Sequence, residues 1–228
     1  MLQKSASFPG IQGPIVTIVM DGYGIARSDL GSAIAAARKP TLDRLFANYP
    51  NISLRAHGIA VGMPSDDDMG NSEVGHNAIG AGQVYSQGAS LVADAIAAGS
   101  IWQGAAWQQV VAGAKAGRGV LHFLGLFSDG NVHSHIDHLR AMIVRARDEG
   151  VQAVRVHILL DGRDVPETSA LDYVLPFEAF LAEVSVGGFD ARIASGGGRM
   201  KITMDRYEAN WKMVETGWHT HVLGQGEQ

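Results

Sequence analysis

Apolar residues alternate with polar ones in two distinct rhythms along this chain, and each rhythm predicts a different element. The run Ile15-Val16-Thr17-Ile18-Val19-Met20 is β-branched, unbroken and halted by Asp21-Gly22. That pattern predicts a buried parallel strand carrying an acid to its C-terminal end, where α/β proteins commonly place their chemistry. Leu42, Leu45 and Phe46 are spaced for a short helix ahead of Pro50, and Ile52-Ser53-Leu54-Arg55 alternates like a second strand. Met63-Pro64-Ser65-Asp66-Asp67-Asp68 breaks all periodicity, after which a helix is expected from Glu73, with Ser72 at or near its N-terminus.

From about Gly88 the pattern becomes a regular helix and strand alternation. Two Ala-rich helices are expected near Leu91 to Ala98 and Ala105 to Ala116, then a strand over Val120 to Phe127 ending in Ser128-Asp129-Gly130. The next helix presents Ile136, Leu139 and Ile143 on one face. A second strand, Val154 to Leu160, ends in Asp161-Gly162-Arg163-Asp164. A third, near Ala191 to Ala194, ends in Ser195-Gly196-Gly197-Gly198-Arg199, before a helix through Tyr207, Trp211 and Val214. Together these predict a βαβαβ layer with its polar loops on one edge. Met1 to Gly13 is polar and aperiodic and reads as a leader, and a domain boundary is expected near residue 87.

Composition narrows the picture. The 228 residues, 46% of them apolar, suffice for one or two domains with a real core. The 29 glycines suit strand-to-helix turns better than a helical bundle. Without cysteine there are no disulfides or thiolates, so any metal must use oxygen and imidazole ligands. The net charge of −5 argues against a nucleic-acid partner. No run approaches the ~18 apolar residues of a membrane span and no signal sequence opens the chain, so a cytoplasmic protein is expected.

The strongest local chemistry lies in Met69-Gly70-Asn71-Ser72-Glu73-Val74-Gly75-His76, where a serine follows a glycine turn into a helix. Backbone N–H groups gather at such a place and favour anions. A serine hydroxyl needs a base or a metal to become a nucleophile, and Asp21 is the nearest obvious oxygen donor in sequence. The competing readings are plain ones: Ser72 as a helix cap and Asp21 as a turn residue. His133, His135 and His138 could form a metal cluster, but surface or supporting roles are the stronger expectation with two of them on the helix. No role is assigned to His219 and His221, and Trp102, Trp107, Trp211 and Trp218 are expected to pack rather than stack on a ligand.

Asp21-Gly22-Tyr23-Gly24, Met69 to His76, Ser128-Asp129-Gly130-Asn131-Val132-His133-Ser134-His135 and Leu160-Asp161-Gly162-Arg163-Asp164 occur in one order. In these four motifs the chain resembles the cofactor-independent phosphoglycerate mutases of the alkaline-phosphatase superfamily, from about Pro14 onward. The resemblance implies an α/β protein: a partial alkaline-phosphatase-like sheet domain over residues 14–87, then an inserted Rossmann-like transferase domain over 88–228, itself incomplete. It implies a metal-bound serine, Ser72, that accepts the phosphoryl group, and Asp21 as ligand of the same ion. Two manganese ions are expected in such an enzyme, with magnesium or another divalent metal as substitutes. His133, Arg163, Asp164, Arg199 and Arg206 are implied to hold phosphoglycerate, with Asp164 handling a hydroxyl proton.

The chain departs from that pattern in three places. Asp66-Asp67-Asp68 is one residue longer than the commoner form, and Met200-Lys201-Ile202-Thr203 lengthens the Arg199 to Arg206 segment where paired tyrosines are usual. The later Asp and His metal ligands are absent, so the chain alone is expected to lack a complete active site. Family members are mostly monomeric, whereas exposed strand edges in a partial sheet would drive this chain to self-associate. Two rival readings stand beside the mutase: a metal-dependent phosphatase or phosphomutase of the same superfamily, and a non-catalytic anion-binding fragment.

Overall fold

The computed structural model describes residues 6–25, 27–117, 119–205 and 207–226, in two compact units, Met1–Ser53 and Leu54–Gln228. Arg206 lies outside the described residues.

The first unit contains two helices, α1 (Ala33–Ala36) and α2 (Pro40–Asn48). Ser32 caps α1, its hydroxyl accepting from Ala35 N, and Pro40 opens α2 where its missing N–H costs nothing. The strand expected over Ile15 to Met20 does not form: the segment is unpaired, and Val16 and Ile18 are each 78% exposed. The alternating segment Ile52 to Arg55 is likewise unpaired. A buried parallel strand needs neighbours for its N–H and C=O groups and helices over both faces. Among the described residues nothing supplies either to these segments. The apolar stripe of α2 is also uncovered, with Phe46 half exposed.

The second unit has the predicted layer. Ahead of it come α3 (Ser72–Ala81), α4 (Gly88–Ala97) and α5 (Ala105–Ala116). Then β1 (Val120–Phe127), α6 (Ile136–Asp148), β2 (Ala153–Leu160), α7 (Ala170–Val184) and β3 (Asp190–Gly198) follow in order. The sheet is parallel in the order β1-β2-β3, with Val120 opposite Ala153 and Ala153 opposite Asp190. Along β2 every second residue points into the core, so Val154, Val156 and Ile158 are buried. They meet Ile143 and Ala146 of α6 and Phe177 and Leu181 of α7 in one cluster that also takes in Phe127. The Phe127 and Phe177 rings pack edge to face, with centroids 4.8 Å apart.

The sequence pattern placed the third strand's end near Ala194, but β3 continues through Gly198. Its glycines explain the extension. A Cβ on Gly196 would lie 2.5 Å from Ile158 and one on Gly197 2.6 Å from Ile202, so only a bare backbone can run between those side chains. The chain then enters α8 (Arg199–Ile202) and α9 (Trp211–His221). Tyr207 sits in a turn ahead of α9, not on the helix. Gly217 lets α9 lie directly on the Ile202 carbonyl. Trp107 packs against the core as expected, whereas Trp211 and Trp218 are 65% and 58% exposed on α9. Among the described residues, no helix is long and apolar enough to cross a membrane.

Candidate functional site

Parallel strands release their loops at one edge, and all three strands end here in a polar side chain aimed at the same point. β1 ends before Ser128, which is 1% exposed, β2 before Asp161 and β3 before Arg199. Ser128 Oγ donates to Asp161 Oδ2 at 2.5 Å. Asp161 Oδ1 accepts the backbone N–H groups of Arg163 and Asp164 at 3.1 and 3.0 Å, which folds the Gly162-Arg163-Asp164 turn around its own carboxylate. Arg199 Nη2 lies 3.0 Å from Asp161 Oδ1 and 2.9 Å from Asp164 Oδ2. Burial works against the charge of Asp161. The bonds from Ser128, Asp164 N and Arg163 N, with the Arg199 charge, nevertheless hold its carboxyl below the usual range.

His133 joins this cluster through Nε2, 3.8 Å from Asp164 Oδ2, and its side chain is half exposed. Its loop is tied down at both ends: Ser134 Oγ donates to Leu126 O at 2.7 Å and Ile136 N to Ser128 O at 2.9 Å. Tyr173 of α7 donates to Asp129 Oδ1 at 2.7 Å. Burial, then that bond, pushes the Tyr173 hydroxyl up to about 12, so it remains a donor. Arg163 is exposed, and its guanidinium makes no hydrogen bond or ion pair among the described residues. Four expected residues therefore occupy one edge: His133, Asp164 and Arg199 in contact, with Arg163 free in the adjoining turn.

Ser72 is the first residue of α3 and exposed, and the helix cap is its neighbour Asn71, whose Oδ1 accepts from Val74 N at 3.0 Å. The capping alternative for Ser72 is thereby removed. Its hydroxyl lies 3.2 Å from His76 Nδ1, one turn along the helix, but the same nitrogen is 2.7 Å from the Ser72 carbonyl oxygen. A nitrogen that donates to that carbonyl has no lone pair left for the hydroxyl, so in this geometry His76 is not the base of Ser72. Two bonds link the serine loop to the His133 loop: Asn131 Nδ2 to Asp68 Oδ1 at 2.7 Å, and Asn71 Nδ2 to Val132 O at 3.4 Å. Asn131 adopts a φ of 53°, a left-handed conformation that asparagine tolerates. A cavity of about 560 Å³ opens between these loops and β1, with Asn71, Glu73, Asn131 and His133 in its wall.

Asp21 sits in an exposed turn of the first unit, while Ser72 belongs to the second. Of the three clustered histidines, only His138 is on α6; His135 caps it and His133 precedes it. Among the described residues no three His, Asp or Glu side chains are grouped to hold a metal. The oxygens of Asp21 and Ser72 alone do not make a manganese shell, so the residues present do not fit that ion unaided. Reading by motif passed over Ser128, Asp161 and Asn131 as site residues, although all three lie inside the quoted motifs. The signal available was position: Ser128 and Asp161 each follow the last residue of a strand.

The fold and this edge define an α/β protein that gathers arginine, histidine and aspartate at the C-terminal ends of parallel strands. Residues 92–228 match the family described as BPG-independent PGAM N-terminus, and the chain belongs to that family. It is 57% identical over 214 residues to a protein of Leptospira interrogans named a probable 2,3-bisphosphoglycerate-independent phosphoglycerate mutase, covering 93% of this chain and 39% of that one. It is 46% identical over 213 residues to the 2,3-bisphosphoglycerate-independent phosphoglycerate mutase of Zea mays, covering 92% and 38%. A crystal structure of Leishmania mexicana phosphoglycerate mutase at low cobalt concentration superposes with a TM-score of 0.76 at 48% identity, covering 85% of this chain and 36% of that one. The chain thus spans about two fifths of the length of the curated relatives it matches.

Proposed function

We propose that this chain supplies the phosphoryl-accepting serine and the glycerate-holding edge of an enzyme that interconverts 3-phosphoglycerate and 2-phosphoglycerate, an isomerase of the cytoplasm. The observation that carries the reading is the meeting of His133, Asp164 and Arg199 at one sheet edge, in a chain whose relatives are named phosphoglycerate mutases.

In this reading Ser72 Oγ gives up its proton and attacks phosphorus, the bond from phosphorus to the 3-oxygen of glycerate breaks, and the departing oxygen takes a proton. Glycerate stays bound and reorients, and its 2-hydroxyl attacks the phosphoserine phosphorus while giving up its proton; the bond from phosphorus to Ser72 Oγ breaks and the serine oxygen takes a proton back. Asp164 is the proton acceptor and donor for the glycerate hydroxyls, with His133 beside it. Arg163, exposed at the turn and with no side-chain partner among the described residues, offers a bidentate fork to carboxylate or phosphate. Holding glycerate in place separates a mutase from a phosphatase. Arg206 belongs to the same proposed set by family resemblance alone. By that resemblance the enzyme also needs a divalent metal, manganese, whose ligand shell the described residues of this chain do not complete; the Leishmania enzyme was crystallised at low cobalt concentration.

The exposed Ile15 to Met20 segment and the incomplete donor set favour a narrower statement for the chain on its own: it holds phosphoglycerate without turning it over. Incubation with 3-phosphoglycerate and manganese, followed by phosphopeptide mapping and product analysis, tests both statements. Binding without product supports the narrower one. Labelling at Ser72, abolished by Ser72→Ala, supports the serine assignment; phosphate on another residue would overturn it. Free inorganic phosphate without 2-phosphoglycerate would point to a phosphatase.

A further inference from the structure

Arg199 is a substrate-gripping residue by family resemblance, yet its side chain is only 1% exposed and its guanidinium already serves two carboxylates. Those carboxylates are not equivalent. The Asp161 side chain is fully buried, and its oxygens also accept from Ser128 Oγ and from two backbone N–H groups. Detaching it would strand a buried charge and undo the turn built around it. Asp164 is 18% exposed, and among the described residues its carboxylate has Arg199 at 2.9 Å and His133 at 3.8 Å as partners. It can swing outward into water at the cost of one charge-assisted bond.

Asp164 therefore stands between Arg199 and solvent. While it stays there, one guanidinium faces two carboxylates, and the trio carries a net negative charge that repels an incoming phosphate. Arg199 Nε is a buried donor without a partner among the described residues, so the guanidinium retains hydrogen-bonding capacity that the free protein does not use.

We propose that anion binding at this edge is a ligand exchange: Asp161 anchors the Arg199 guanidinium, and an incoming phosphate or carboxylate group takes the place of Asp164 on it. Asp161 is thus a positioning residue that keeps Arg199 in register while Asp164 leaves. The exchange frees both Asp164 oxygens to accept from a hydroxyl of the ligand just bound, so the proton acceptor is released only when the site is filled. The identity of the ligand rests on the reading above; the exchange itself requires only an oxyanion.

Titration calorimetry with inorganic phosphate and with 3-phosphoglycerate, on the whole chain and on Asp164→Asn, reads the exchange directly. An amide competes poorly for a guanidinium, so Asp164→Asn is expected to tighten phosphate binding by about tenfold, where a residue that simply contacts the ligand would weaken it. Asp164→Ala serves the same comparison should the first variant fail to fold. Asp161→Asn is expected to weaken phosphate binding, and the Arg199 Nε–H resonance should move on phosphate addition to the wild-type chain. Equal or weaker phosphate binding by folded Asp164 variants overturns the exchange, as does absence of phosphate binding to all of them. If phosphoglycerate binds the wild type and is lost in Arg163→Gln while phosphate is not tightened in Asp164→Asn, the exchange fails and the mutase reading stands. If phosphate follows the expected order and phosphoglycerate does not bind, the exchange stands and that reading falls.

Discussion

Ile15 to Met20 and Ala153 to Leu160 are two runs of the same kind, rich in valine and isoleucine, and they meet opposite fates. The second is the central strand of a sheet, with Val154 fully buried, whereas Val16 in the first is 78% exposed. Intrinsic β-preference is comparable in the two, so it does not decide. Partners decide: β2 pairs along its whole length with β1 and β3 and is roofed by α6 and α7. The first run has neither among the described residues.

Two aromatic side chains, one in each unit, put the largest stress on this contrast. Phe177→Ala, emptying a fully buried site, should cost about 3–5 kcal/mol in denaturant unfolding. Phe46→Ala, on the uncovered face of α2, should change stability by less than about 0.5 kcal/mol. Equal losses would mean that the apolar stripe of α2 is covered in solution and that the two units do not differ in this way. Asp161→Asn should come next, at about 3 kcal/mol, because it leaves a buried arginine with one carboxylate in place of two. The pH dependence has a defined sign. Asp161 is held below the usual carboxylate range, so its contribution is present above that range and is lost as pH falls through its depressed value. Unfolding followed from neutral pH down to about pH 3 should show that loss, and Asp161→Asn should flatten it.

Asn71→Ala removes the α3 cap and should cost about 1 kcal/mol, with faster amide exchange confined to the first turn, where Ser72 sits. A smaller effect is expected around β2. His157 Nδ1 lies 2.6 Å from Ser195 Oγ, which in turn lies 2.7 Å from His221 Nδ1. Burial, then the charges of His122 and His221, holds His157 below its ordinary value, and burial does the same for His221. Their contribution is complete above about pH 6.5 and declines as pH falls toward the depressed values. Imidazole and α9 amide signals in an NMR titration should report this, while signals from residues 15–20 stay still.

Much of the second unit was legible from spacing alone. The bounds of β1, the apolar face of α6 and the entry of Ser72 into α3 all follow from local periodicity and turn chemistry, which require only near neighbours in sequence. The end of β3 was not legible, because its three glycines carry no pattern; the reason it continues is the closeness of Ile158 and Ile202. The histidines of α9 were equally silent, since only the packing of α9 on the sheet brings His221 to Ser195. At the sheet edge the motifs marked Asp164, His133 and Arg163 as candidates, while the family resemblance implied an open grip for Arg199 that the structure closes under Asp164.

Local order along the chain was enough to set the elements of the second unit, their parallel succession and the family to which the four motifs point. These depend on periodicities of two and 3.6 residues and on groups held within a few positions of one another. Which apolar runs are buried, and which carboxylate guards Arg199, was left to the packing. Burial and ion pairing are settled by atoms far apart in the chain, and a side chain that looks available in sequence is available only if nothing else has reached it first.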